Sequence, residues 1–279
     1  MAAYGWRLKF KMVMKKVCIY CDSKGKKSKE HIWPVWMHQH LLLLGDGENV
    51  SEVNTFRWKE QTGSRKSTRQ GHLTTKKIRV VCQSCNSGWM SYLENATKPI
   101  LLKVLNGESI DLCAVEQETL ARWIAMKAII GEYAENDTHM TPREDRILLR
   151  LENKIPNYFA IYIGVHNASS DSAWLRTSQT IALSPEGPSP PLGKLKRNMQ
   201  SIAFICGKLF VFVFAVRENG IKPTEVLKLK KLQRIYPKQS NIVKWPPADT
   251  LTKLDMGRIA WAVDDMKNLP NVKNGGDIQ

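Results

Sequence analysis

The chain has 279 residues, of which 42 are Lys or Arg and 26 are Asp or Glu, for a formal net charge of +16. At roughly 150 residues per domain there is room for one large domain or two modest ones, and 43% apolar residues exclude a wholly disordered chain. The longest strongly apolar run, Ile202 to Val216, contains Lys208 and is too short for a bilayer, which excludes an integral membrane protein.

The N-terminal MAAYGWRLKFKMVMKKV is basic and lacks the apolar core of a secretory signal. Val17–Tyr20 reads as a short strand running into Cys21. Residues 45–76 are rich in Gly, Ser, Thr and Lys and read as a long loop or hairpin excursion, a feature usually tied to function. Ile78–Val81 is a short β-branched strand. From Ser87 onward, Trp89, Met90, Leu93, Ile100, Leu101 and Leu105 keep helical spacing. Pro99 should kink or split that helix, and Gly107 should stop it.

Residues 115–133 predict a second, amphipathic helix with Leu120, Trp123, Ile124, Ala128 and Tyr133 on one side. Thr141-Pro142-Arg143-Glu144 is a capping box that starts a third. Tyr158–Val165 is aromatic and β-branched, and 184–193 is a Pro/Gly-rich linker. Ile202–Cys206 and Leu209–Val216, joined by Gly207-Lys208, predict a tight hairpin. A final helix is expected over 251–267, ahead of a disordered tail ending NVKNGGDIQ. The pattern is that of an α+β protein with a boundary near residue 108, dividing 1–108 from 109–279.

Six cysteines in a chain this long do not make a disulfide scaffold, and a cytoplasmic location is expected. Their spacing points to metal. Cys18-x-x-Cys21 and Cys82-x-x-Cys85 are two knuckles with 60 residues between them. Each can offer two thiolates to one ion, and four complete the tetrahedral shell of a structural Zn²⁺ with no open position. The competing reading is a redox pair or four unrelated buried thiols. Cys113 and Cys206 lack such partners and are expected in the core.

A plain zinc ribbon separates its knuckles by only ~15–20 residues. Here the insertion contains Glu30-His31, and Asn86 follows the last cysteine directly, 56 residues from Glu30. Zinc pinning the knuckles would bring these positions together. A carboxylate, an imidazole and an amide oxygen at one locus suit a hydrolytic Mg²⁺ site, with the neutral imidazole as base. Glu94 lies eight residues beyond Asn86, about 12 Å along a helix, too far for the two to share an ion. His72 is expected in solvent, His38 and His40 at the surface or in packing contacts, and Trp33, Trp36, Trp89 and Trp123 in the hydrophobic mass.

The charge is uneven. Residues 1–80 carry 17 basic and 6 acidic side chains, residues 81–193 carry 9 and 13, and residues 194–238 carry 11 and 2. Two basic blocks around a candidate metal site suit a polyanionic partner bound in a salt-sensitive way.

CIYC (18–21), KEHIWP (29–34) and VVCQSCN (80–86), followed by a helix, resemble the HNH endonucleases whose ββα-metal core is braced by a four-cysteine zinc site. EHIWPVWM with VVCQSCNSGWMSYLEN looks like a bacterial and phage-type group in which EH-x-x-P-x-W and C-x-x-C-N-x-G-W-M recur together. The resemblance implies that His31 is the general base and that Glu30 and Asn86 hold one Mg²⁺ or Mn²⁺. It implies DNA as substrate, with RNA as the alternative, 5′-phosphate and 3′-hydroxyl products, and a phage or defence context. Residues 109–279 would then recognise substrate or an activating protein partner, with no role at a membrane. Three positions depart from the pattern: Glu30 stands for the usual Asp, KKIRV (76–80) lacks the Asn that orients the histidine, and Trp89 replaces Lys or His. A zinc-braced nucleic-acid-binding protein without turnover is the alternative.

Overall fold

Helices and strands, largely in separate runs along the chain, make up the computed structural model, which describes residues 17–41, 48–57, 60–70, 77–134, 139–167, 173–179, 197–217, 222, 224 and 229–261. In chain order the strands are β1 (Glu30–His31), β2 (Glu48–Arg57), β3 (Glu60–Gln70), β4 (Lys77–Ile78), β5 (Ile110–Cys113) and β6 (Phe159–His166). They continue as β7 (Ala173–Gln179), β8 (Met199–Cys206), β9 (Leu209–Val216), β10 (Gln233–Tyr236), β11 (Ile242–Trp245) and β12 (Thr250–Leu251). The helices are a single turn α1 (Gln83–Cys85), α2 (Ser91–Asn106), α3 (Ala114–Gly131), α4 (Arg143–Glu152) and α5 (Lys253–Trp261). A 3₁₀ turn covers Val35–His40, and the segment Asn86–Met90, kinked at Gly88, joins α1 to α2. The protein is therefore α+β.

The continuous apolar runs form the middle of a six-stranded sheet of order β10-β6-β9-β8-β7, with β12 pairing parallel to β6. β6 and β9 are buried along their whole length, so both faces must be covered. Alternation divides the work: Phe159, Ile161, Ile163, Val211 and Val213 enter one core cluster, while Tyr162, Phe210, Phe212 and Phe214 enter the other with Met256 and Ala260 of α5. The first cluster also takes in α2, α3 and the cysteine knuckles. The β8–β9 turn is the expected tight hairpin. Gly207 has φ +55, and a Cβ there would lie 2.5 Å from the Leu105 carbonyl oxygen. That close approach lets Lys208 N–H donate to Leu105 O at 2.8 Å and Gly207 N–H to His40 O at 3.2 Å. Gly107 caps α2 at φ +75, which is the expected helix stop, and one core cluster takes in residues from Cys18 to Trp245 on both sides of it.

Several local expectations are corrected. Val17–Tyr20 is not a strand, because after one bond from Ile19 N–H to Val80 O the chain turns into the first knuckle. Pro99 is absorbed within a continuous α2. α3 is not amphipathic. It is buried on nearly every side, packed between α2 and the sheet. Cys113 is exposed as the residue that caps α3, where its backbone N–H donates to Glu116 Oε2 at 2.8 Å; Cys206 is buried as expected. α4 starts where the sequence indicates, but Thr141 does not cap it, since its hydroxyl donates to buried Glu132 Oε1 at 2.5 Å. The excursion at 45–76 contains the antiparallel β2–β3 pair. His72, the 184–193 linker, the N-terminal segment before Val17 and the tail beyond Trp261 lie outside the described residues.

Candidate metal centre

Each knuckle begins as a tight turn that aims two thiols inward. In the first, Asp22 N–H donates to Cys18 O at 3.0 Å, and Asp22 itself takes a left-handed φ of +55. In the second, Cys85 N–H donates to Cys82 Sγ at 3.4 Å across the single turn α1. Backbone pairing then joins them: Ser28 N–H donates to Val81 O at 2.9 Å, Gln83 N–H to Lys26 O at 3.0 Å, and Cys82 N–H to Cys18 Sγ at 3.3 Å. α4 holds the first knuckle from outside, through Arg146 Nε donating to Ile19 O at 2.8 Å and an Arg143–Asp22 ion pair.

The sulfurs of Cys18, Cys21, Cys82 and Cys85 all lie within 4.8 Å of one another, and those of Cys21 and Cys82 are 3.5 Å apart. A tetrahedral ion with bonds of about 2.3 Å requires sulfurs about 3.8 Å apart, so the donor set fits Zn²⁺ in chemistry and in size. Among the described residues this is the one cluster of three or more His, Cys, Asp or Glu ligand atoms. The metal-free thiols are unequal. Burial raises the Cys82 thiol, but donation from the Ser84 hydroxyl and Cys85 N–H, with the Cys21 and Cys18 thiols, outweighs it and brings Cys82 down to about 6. Burial dominates at Cys21 and Cys85, which are both raised. Four thiolates would leave no open coordination position, which is the arrangement of a structural site.

Immediately beyond the knuckles, β1 and β4 pair antiparallel, with Glu30 opposite Ile78 and His31 opposite Lys77. Successive residues of a strand face opposite ways. Glu30 and Ile78 accordingly turn into the core, while His31 and Lys77 turn outward, with Lys29 and Arg79 exposed on either side. His31 is half-buried. Its pKa is lowered by burial first and then by the Lys77 charge, with Glu30 opposing and His38 and Lys127 adding. The His38 ring stands 6.1 Å away, nearly edge-on. These surroundings favour the neutral form of the imidazole.

Glu30 meets a residue that the sequence did not single out. Lys127, in the middle of α3, is 2% exposed, and its Nζ donates to Glu30 Oε1 at 2.6 Å and to the His31 carbonyl at 3.2 Å. The same ammonium lies 3.8 Å from Glu94 Oε2, and the other oxygen of Glu94 accepts from Trp36 Nε1 at 3.2 Å. Glu30 and Glu94 thus share one cation, while Asn86 Nδ2 donates to Ser28 Oγ at 2.6 Å, two residues before Glu30. Glu30, His31 and Asn86 all stand next to the paired knuckles, but Glu30 faces inward to Lys127 and His31 faces out. The oxygen donors suit a hard cation in kind, but Glu30 Oε1 already holds one. A signal for Lys127 was present in Trp123–Ile130, where it is the one charge in an apolar stretch.

The tryptophans serve as packing mass. Trp33 and Trp123 are fully buried, and Trp33 meets Trp174 and Phe204 edge-on with ring centroids 5.9 and 5.4 Å away. No helix among the described residues is long and apolar enough to cross a membrane. Comparison of the chain with protein-family models, with curated proteins and with solved structures finds no match.

Proposed function

We propose that this chain is a metal-dependent endonuclease that hydrolyses DNA phosphodiester bonds, an HNH-type enzyme with a zinc-braced scaffold. The observation that carries the reading is the placement of His31: a half-buried imidazole facing outward from a two-stranded ribbon that lies between the cysteine knuckles in sequence and is followed by a helix. Zinc on the four cysteines would keep the ribbon and the start of that helix in register. Glu30 and Asn86 would hold one Mg²⁺ or Mn²⁺. When bound, that ion supplies charge neutralisation at the scissile phosphate and the departing oxygen.

His31 takes a proton from a water molecule as the water oxygen bonds to phosphorus. The P–O3′ bond breaks, and the 3′ oxygen collects a proton from solvent. The products are a 5′-phosphate and a 3′-hydroxyl. Lys77, Lys29 and Arg79 would give the exposed side of the ribbon its attraction for backbone phosphates, and binding would weaken with salt.

A supercoiled-plasmid assay in Mg²⁺ and Mn²⁺ tests this, with wild type beside a folded His31→Ala variant. Nicking or linearisation that is lost in the variant and in EDTA, with 5′-phosphate ends, is the expected result. Cleavage that persists in His31→Ala refutes the assignment. The Glu30–Lys127 contact favours a second reading, in which the core binds nucleic acid without turnover or awaits a partner protein. Salt-sensitive DNA binding without cleavage, or cleavage appearing with an added factor, would identify it.

A further inference from the structure

We propose that Lys127 is a positioning residue of the His31 site and the cation with which a divalent metal ion competes for Glu30. The inference rests on the reading of Glu30 as a metal ligand.

The ammonium is enclosed at 2% exposure; the Trp123 ring centroid lies 5.9 Å from it, and its polar partners are oxygens: Glu30 Oε1 at 2.6 Å, His31 O at 3.2 Å and Glu94 Oε2 at 3.8 Å. Two carboxylates and a carbonyl around one point are the donor set expected for a hard cation, and here a side chain supplies the charge. Lys127 belongs to α3, 97 residues beyond Glu30, so the second part of the chain completes the site formed by the first. Two functions follow from one contact. Bonds to the Glu30 side chain and the His31 carbonyl fix β1 on both its side-chain and main-chain positions, and with it the direction of the imidazole. A divalent ion on Glu30 must also accept a positive charge within a few ångströms in a poorly solvated place, which weakens its binding.

The test is a Mn²⁺ titration of the zinc-loaded full chain, followed by the EPR signal of free Mn²⁺. It compares wild type, Lys127→Met and the Lys127→Met/Glu30→Gln double variant. Lys127→Met is expected to bind Mn²⁺ at least about tenfold more tightly than wild type, and the double variant to lose that gain. Lys127→Gln, which keeps a hydrogen-bond donor without the charge, gives the same comparison if the methionine variant does not fold. Unchanged affinity in a folded variant, or a gain that survives Glu30→Gln, overturns the proposal. The titration reads Lys127 whether or not the chain cuts DNA. A tenfold gain without His31-dependent cleavage upholds Lys127 and refutes the nuclease, and His31-dependent cleavage without the gain does the reverse.

Discussion

Replacing Lys127 by methionine keeps most of the side chain's length and removes the ammonium. The lost partner is buried: the Glu30 side chain is 9% exposed, and its 2.6 Å contact is with the group being deleted. Breaking a buried pair from one side leaves an uncompensated charge and costs about 3–5 kcal/mol. Glu94, 3.8 Å from the same ammonium, would then face Glu30 without a cation between them, which puts the expected loss toward the upper end. In a chain of this size that corresponds to a fall in Tm on the order of 10 °C. Urea unfolding at neutral pH measures it, provided the m-value is unchanged. The Glu30→Gln/Lys127→Met double variant removes both charges and should recover most of the loss, because the cost lies in the orphaned carboxylate and not in the pair itself. A single variant that loses under about 1 kcal/mol, with a double variant equal to the sum of the singles, would refute the reasoning.

Two further outcomes follow from the titrating groups. Because burial and Lys77 lower the His31 pKa, the neutral base persists at mildly acid pH, so the acid limb of kcat/KM should have its midpoint below the usual histidine value of about 6.5. A midpoint at or above that value in a pH–rate series would show His31 in a different environment. Zinc loading should release protons near pH 7, from Cys21 and Cys85 at the least, since burial holds both as thiols while Cys82 is already largely ionised. Calorimetry of zinc binding in buffers of different ionisation enthalpy counts those protons, and release of none would contradict a thiolate shell.

The parts of the fold legible in the sequence are those governed by local chemistry. The two C-x-x-C turns, the Gly207-Lys208 hairpin, the Gly107 stop and the start of α4 each depend on residues within a few positions of one another. What could not be read depends on distant partners. A helical stripe drawn through Leu120, Trp123, Ile124 and Ala128 assumes one buried side, whereas α3 is enclosed by α2 and the sheet and keeps almost no solvent face. Lys127 stands out as the one charge in Trp123–Ile130, but its role is legible only when Glu30, 97 residues away, is seen against it. Helix spacing weighs Glu94 only against Asn86, and it cannot reveal that Glu94 and Glu30 share a cation carried by a third element. Thr141 shows the same limit. Its capping-box spacing is right, yet a buried carboxylate, Glu132, takes its hydroxyl. Part of the basic stretch 194–238, which reads as a surface for phosphates, supplies β8, β9 and β10 to the central sheet.

Every role given to His31 depends on one ion joining the two knuckles, so the metal content of the full chain, purified under reducing conditions without chelator, is the most direct measurement. Elemental analysis should find about one zinc per chain, and close to none in a Cys82→Ser/Cys85→Ser variant. A folded wild-type protein that carries no zinc, and that gains no stability when zinc is added, would contradict the account.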